Sequence, residues 1–249
     1  KRIAESITVG LKKFFFLKRR TIQKLSHPCN KSEALLTRVD IYPIRTHLIR
    51  ENEDLSCIIK KYTKGITKPG DIVVIAESVV SITQGRAILP ESISPKLPAR
   101  LLCKLPGKSG NLATPPAMQL AINEVGLHRI LLGVVAAGLG KLIGRKGDFF
   151  RIAGCSVAQI DAIAGTLPPY DKHVILGPSN PKKIIKAISR SLGIDIAIVD
   201  TNDLGYVNIL ATSNPETVGW VSQALADNPL GNEDQQTPIA ILRPIYKSS

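Results

Sequence analysis

The chain has 249 residues, of which 44% are hydrophobic and 4% aromatic, enough for one large aliphatic core or two smaller ones. Its net charge of +13 is uneven: residues 1–38 hold ten Lys/Arg against two Asp/Glu, whereas residues 195–249 hold two against seven. No nucleic-acid reading motif or aromatic stacking pattern accompanies the basicity, and no CxxC pair occurs among Cys29, Cys57, Cys103 and Cys155, so nucleic acid, zinc and a disulfide scaffold are all disfavoured.

The basic arm, residues 1–38, contains Leu11–Arg20 (LKKFFFLKRR), whose apolar centre of Phe14–Leu17 is shorter than the roughly 7 residues a signal peptide needs. It reads as an amphipathic helix packed on the body, in preference to a surface for anionic lipid. Ile130–Ile143, the longest apolar stretch, is short for a membrane span of about 20 residues. With reduced thiols, these features suggest a cytoplasmic protein. The body, residues 39–249, is expected to form one domain.

Arg38–Ile44 alternates apolar and polar residues as a half-buried strand, and Pro43 suits its edge or end. Glu53–Lys64 is predicted helical with Leu55, Ile58, Ile59 and Tyr62 on one face. Lys68–Asp71 turns into Ile72–Ala76, a β-branched run typical of a buried strand, which ends at Glu77 and Ser78. Leu89–Pro116 reads as a long loop with a short helix near Ala99–Leu105. Its Gly107-Lys108-Ser109 lacks both the leading glycine and the strand of a P-loop. Pro115–Gly126 is predicted helical. Ile130–Phe150 is predicted to form a β-hairpin or a strand with a glycine turn, because each glycine costs a helix about 1 kcal/mol.

Pro181–Leu192 carries the clearest helix signals: Asn180 as N-cap, Pro181 at the first position, and Gly193 after the end. A second buried strand, Ile194–Val199, follows at once and ends in Asp200, Thr201, Asn202 and Asp203. Ligand groups collect where strands end in α/β arrangements, so the two strand ends are expected to share a site. The oxygen donors after Val199 suit Mg²⁺ or Mn²⁺, and equally suit a turn that caps the next segment. His27, His47, His128 and His173 are isolated and read as structural or exposed. Val218–Ala226 is predicted helical with Trp220 inward, Gly231–Gln236 a polar loop, and Pro238–Leu242 a closing strand.

Several ordered segments carry a resemblance: GDIVVIAESVVSITQGR at 70–86, Ala153-Gly154 onward, LPPYD at 167–171, VDTN at 199–202, and Gly231-Asn232 with Pro238 and Arg243. Their order and spacing resemble the coenzyme F-420:L-glutamate ligase (γ-glutamyl ligase) family over roughly residues 39–245. The resemblance implies an α+β fold of mixed β-sheets with packed helices, in an intertwined homodimer. It further implies a GTP-dependent ligase with Mg²⁺ or Mn²⁺, joining L-glutamate to a phosphorylated small-molecule acceptor. The nucleotide-binding residues would then be Glu77, Ser78, Ser81 and Thr201, and the metal ligands Asp200, Asp161 and Glu233; no catalytic residue is assigned.

The chain also departs from that family's pattern. Ile82-Thr83-Gln84 stands where a lysine and an acidic residue are usual, Ser156 replaces an aspartate of the metal segment, and Arg45-Thr46-His47 replaces a Gly-Leu-Pro loop. Fewer carboxylates leave phosphate charge less compensated. The alternative is therefore a non-catalytic relative that binds a small phosphorylated ligand or a protein partner.

Overall fold

The computed structural model describes residues 20–22, 36–107, 110–162, 167–202, 204–231 and 235–246. Nearly all of the basic arm, Lys108-Ser109, Asp203 and Glu233 lie outside the described residues. Along the chain run β1 (Arg20–Ile22), β2 (Leu36–Ile44), α1 (Leu55–Thr63), β3 (Ile72–Ala76), α2 (Glu77–Thr83), β4 (Ala87–Ile88), α3 (Leu97–Leu102), α4 (Pro115–Val125), α5 (Leu127–Leu142), α6 (Asp148–Ala153), α7 (Cys155–Ala158), β5 (Val174–Ile175), α8 (Pro181–Leu192), β6 (Asp195–Thr201), β7 (Val207–Thr212), α9 (Val218–Leu225) and β8 (Ile239–Tyr246). This mixture of sheet and helices is α+β. The chain divides into two compact units, the first formed by residues 1–83 and 179–249 and the second by Gln84–Pro178.

The first unit is a six-stranded mixed sheet in the order β1-β2-β8-β3-β6-β7. Only β3 and β6 pair in parallel; the other neighbours are antiparallel. The central strands are continuous apolar runs because helices cover both sheet faces. Ile75, Ile196, Ile198 and Ile241 meet Ile58 and Ile59 of α1 and Ile185 and Ile188 of α8 on one face. Ile72, Val74, Val199 and Leu242 meet Trp220, Val221 and Leu225 of α9 on the other. Each fully buried aliphatic side chain of this kind contributes about 1.5–3 kcal/mol.

Local chemistry sets the ends. Asp54 caps α1, accepting from Cys57 N at 3.0 Å. Pro43 pairs with Ala240 near the end of β2, a position that suits a residue with no N–H to donate. Asn180 precedes α8 in a left-handed conformation (φ 50°), but its side chain does not cap the helix; its Nδ2 donates to Ser179 Oγ at 3.0 Å. The second strand starts at Asp195 and runs through Thr201, two residues further than its apolar pattern, because Asp200 and Thr201 still pair with Asn208 and Val207. The last strand is not confined to Pro238–Leu242: it lies between β2 and β3 and continues to Tyr246.

The second unit packs helices α3–α7 with the two-stranded β4–β5 ladder around Met118, Ala121, Ile130, Ala153, Val157 and Ile160. Thr114 caps α4, followed by Pro115 and Pro116. The hairpin expected over Ile130–Phe150 is absent: α5 and α6 occupy that stretch. Tertiary contact overrides glycine's poor helix propensity here. A Cβ on Gly133 would stand 3.1 Å from Phe149 Cδ2 and 3.2 Å from its carbonyl oxygen, and one on Gly140 would collide with the Asp148 carboxylate. These two glycines let α6 lie directly against α5. Among the described residues no single helix is long and apolar enough to cross a membrane; α4 and α5 reach that length only as a pair bent by 110°.

Candidate functional site

One end of the first unit's sheet gathers four chain segments. Ile44, Ile239 and Ile75 stand in register across β2, β8 and β3, and Ile75 and Ala76 pair with Ile198 and Val199 of β6. β2, β3 and β6 therefore finish where β8 begins. Backbone bonds tie the loops together there: Ala76 N donates to Pro238 O at 2.8 Å, and Thr46 N to Gln236 O at 3.1 Å. Open sheets place ligand sites at such ends.

Glu77 and Asp200 each lie one residue beyond the last parallel pair, Ala76 with Val199. Two carboxylates thus leave neighbouring strands at the same level. Ser78 and Ser81 follow Glu77 on α2. Ser81 sits one turn after Glu77, and its fully buried Oγ has no hydrogen-bond partner among the described residues. Thr201 Oγ1 donates to Asn228 Oδ1 at 2.8 Å, while Asn202 Oδ1 accepts from Leu204 N and Tyr206 N, both at 3.0 Å. Asn202 therefore builds the turn into β7.

Of the seven residues singled out from the sequence, Glu77, Ser78, Ser81, Asp200 and Thr201 belong to this unit and this sheet end. Asp161 belongs to the second unit, where it is exposed and its backbone bridges Ile175 with two 2.8 Å bonds. Glu233 lies outside the described residues. Among the described residues no three His, Cys, Asp or Glu side chains cluster as a metal-binding group. The donors fit a divalent cation in kind, since carboxylate and hydroxyl oxygens are the ligands Mg²⁺ and Mn²⁺ take with substrate phosphates.

A hydrogen-bonded relay after β2 has no sequence signature. His47 Nε2 lies 2.7 Å from Glu53 Oε2, and His47 Nδ1 lies 2.7 Å from the Tyr62 hydroxyl, which also accepts from His47 N at 2.8 Å. With Nε2 protonated, as it is in the charged ring, Nε2–H donates to the carboxylate. Burial pushes the Glu53 carboxyl up, but bonds from His47 and from Arg50 N, with the charge of both residues, outweigh it and hold the carboxyl below its ordinary value. The three residues come from a loop, a helix approach and a helix, spaced by six and fifteen positions. No periodic pattern links them.

A family model described as F420-0:Gamma-glutamyl ligase matches residues 43–203, well over half of the chain. That match includes β3, β6 and both strand ends. No curated protein matches the chain.

Proposed function

The chain belongs to the F420-0:gamma-glutamyl ligase family, and on that premise we propose that it joins L-glutamate through an amide bond to a phosphorylated small-molecule acceptor, using GTP and a divalent cation. The observation that carries this reading is the level exit of Glu77 and Asp200 from the parallel β3–β6 pair. In this chemistry the acceptor carboxylate takes the γ-phosphoryl group, and the glutamate amine then displaces phosphate from the acyl phosphate. Mg²⁺ or Mn²⁺ would supply charge neutralisation at the phosphates.

The chain's own residues have limited roles in this proposal. Glu77 and Asp200, which leave the same sheet end, would offer oxygens to the cation. Ser78, Ser81 and Thr201 offer hydroxyls to the nucleotide. We further propose that the chain acts as a homodimer in the cytoplasm, with the apolar outer face of α5 as the surface the partner copy covers.

A specific observation favours a second reading. Ser156 stands in the segment where the family carries a metal aspartate, and no metal-binding cluster occurs among the described residues. A non-catalytic relative would keep the sheet end to hold a phosphorylated ligand. Calorimetric titration of the full chain with GTP, with and without Mn²⁺, separates the two. Ligation requires saturable, Mn²⁺-dependent heat that Asp200→Ala abolishes. Absence of heat on protein with a cooperative unfolding transition selects the non-catalytic reading.

A further inference from the structure

β7 is the outermost strand of the sheet, paired only with β6 among the described residues. Its outer edge thus presents backbone donors and acceptors that a further strand can use. Beside this edge opens a cavity of about 650 Å³, with Leu210, Ala211 and Val218 on one side and Lys182, Lys186 and Arg190 of α8 on the other. No carboxylate among the described residues lines it. The neighbouring Asp195 is already engaged, accepting from Ser213 Oγ at 3.0 Å and Asn214 Nδ2 at 2.9 Å. None of the three cations is ion-paired among the described residues.

The spacing of these charges is informative. Lys182, Lys186 and Arg190 recur every four residues on a helix that packs along β6 and β7, so they rise about 6 Å per step. Side chains on one face of an extended strand recur about every 6.7 Å, two residues apart. We propose that this groove is a docking site for an extended acidic peptide of a partner protein, which adds as a strand to β7 and sets carboxylates at alternate positions against Lys182, Lys186 and Arg190.

A second copy of the chain does not fit the same place. β7 reads VNILAT and brings no acid, so two such edges would confront two sets of the same cations. Between Ile198 and Val199 the β6–β7 register also shifts, leaving Leu210 as a bulge. A bulge bends an edge: a short flexible peptide can follow the bend, whereas a second folded edge with the same bulge cannot lie flat on it. A nucleic acid would leave the apolar Leu210 and Val218 side without a use.

The test titrates the full chain with a fluorescein-labelled peptide of about six residues alternating glutamate and valine. Anisotropy reads affinity, and amide hydrogen exchange reads where the peptide lies. The expected result is saturable binding that weakens as salt rises, with slowed exchange confined to residues 207–212. Lys186→Glu combined with Arg190→Glu is expected to weaken it at least tenfold; both residues are exposed, so the variant should melt as the parent does. Equal affinity for the variant overturns the proposal, as does an equal affinity for a peptide with its glutamates in one block, or β7 amides left unprotected. Displacement by millimolar inorganic phosphate overturns it in favour of a small-anion site. Protection of β7 that grows with protein concentration alone overturns it in favour of a second copy.

Discussion

Arg243 reaches from β8 to Asp71, donating from Nε to Oδ1 at 2.8 Å and from Nη2 to Oδ2 at 2.6 Å, with a further bond to Ile66 O at 3.0 Å. The Asp71 side chain is 2% exposed and that of Arg243 16%. A two-pronged contact this buried is costly to break from one side, because the remaining charge stays out of water. Asp71→Ala is expected to destabilise the chain by about 3 kcal/mol, read as a lower urea midpoint with unchanged slope. An unchanged midpoint would mean that water reaches Arg243 freely. Glu53 gives a pH signature instead. Its folded-state carboxyl is held below the ordinary value of 4.5, so its contribution is present above that value and is lost as pH falls through the lower folded value. Glu53→Gln should therefore reduce stability near neutral pH and flatten its decline below pH 4.5; parallel pH profiles for the two proteins would contradict the His47 contact. Legibility at this scale is uneven. Asp200 and Glu77 stand out because they end apolar strands, a signal carried by neighbouring residues. His47, Glu53 and Tyr62 do not, since their partnership depends on how a loop folds over α1.

Elements with a dominant local signal are legible in the sequence, and elements decided by contact are not. α8 has proline before and glycine after an apolar face, and its predicted bounds match the observed ones. The parallel β3–β6 pair follows from two β-branched runs. α5 escapes a reading that weighs glycines by propensity alone, because Gly133 and Gly140 are where α6 makes its closest approach. This separates glycines within one helix. A Cβ added at Gly138 would meet nothing within 4 Å, so Gly138→Ala should gain up to about 1 kcal/mol from helix propensity. Gly133→Ala gains the same propensity but pushes against Phe149, whose backbone oxygen cannot swing aside, and overpacking of that kind costs about 1–3 kcal/mol. The two variants are expected to bracket the parent in thermal unfolding at one fixed protein concentration. Equal shifts would show that α6 yields easily and that the close approach is not what places it.

At the scale of the whole molecule, the second unit enters as one continuous insertion, Gln84–Pro178, between α2 and α8 of the first. Its borders fall at α2 and α8, and order along the chain alone does not show that residues 1–83 and 179–249 build one unit. The candidate site shows the same limit: of its six predicted residues that are described, five fall within one unit and Asp161 in the other, because order along the chain says nothing of how distant segments meet. The proposed dimer is testable at this scale. Leu132 is 60% exposed, Val135 59%, Leu139 61% and Leu142 83%, a row of large apolar side chains along α5 left exposed among the described residues. Standard interfaces bury about 1,600 Å² in total and place such residues at their centre. If a second copy covers α5, each of these leucines contributes about 1.5–3 kcal/mol to association. Replacing Leu132 and Leu139 by glutamate should then cost about 3 kcal/mol or more, a loss of roughly a hundredfold or greater in dimer affinity. Sedimentation equilibrium on the parent and on the Leu132→Glu, Leu139→Glu variant should show a dimer and a monomer respectively. A parent that is monomeric at tens of micromolar removes the homodimer from the proposal, and a variant that stays dimeric moves the interface to another face.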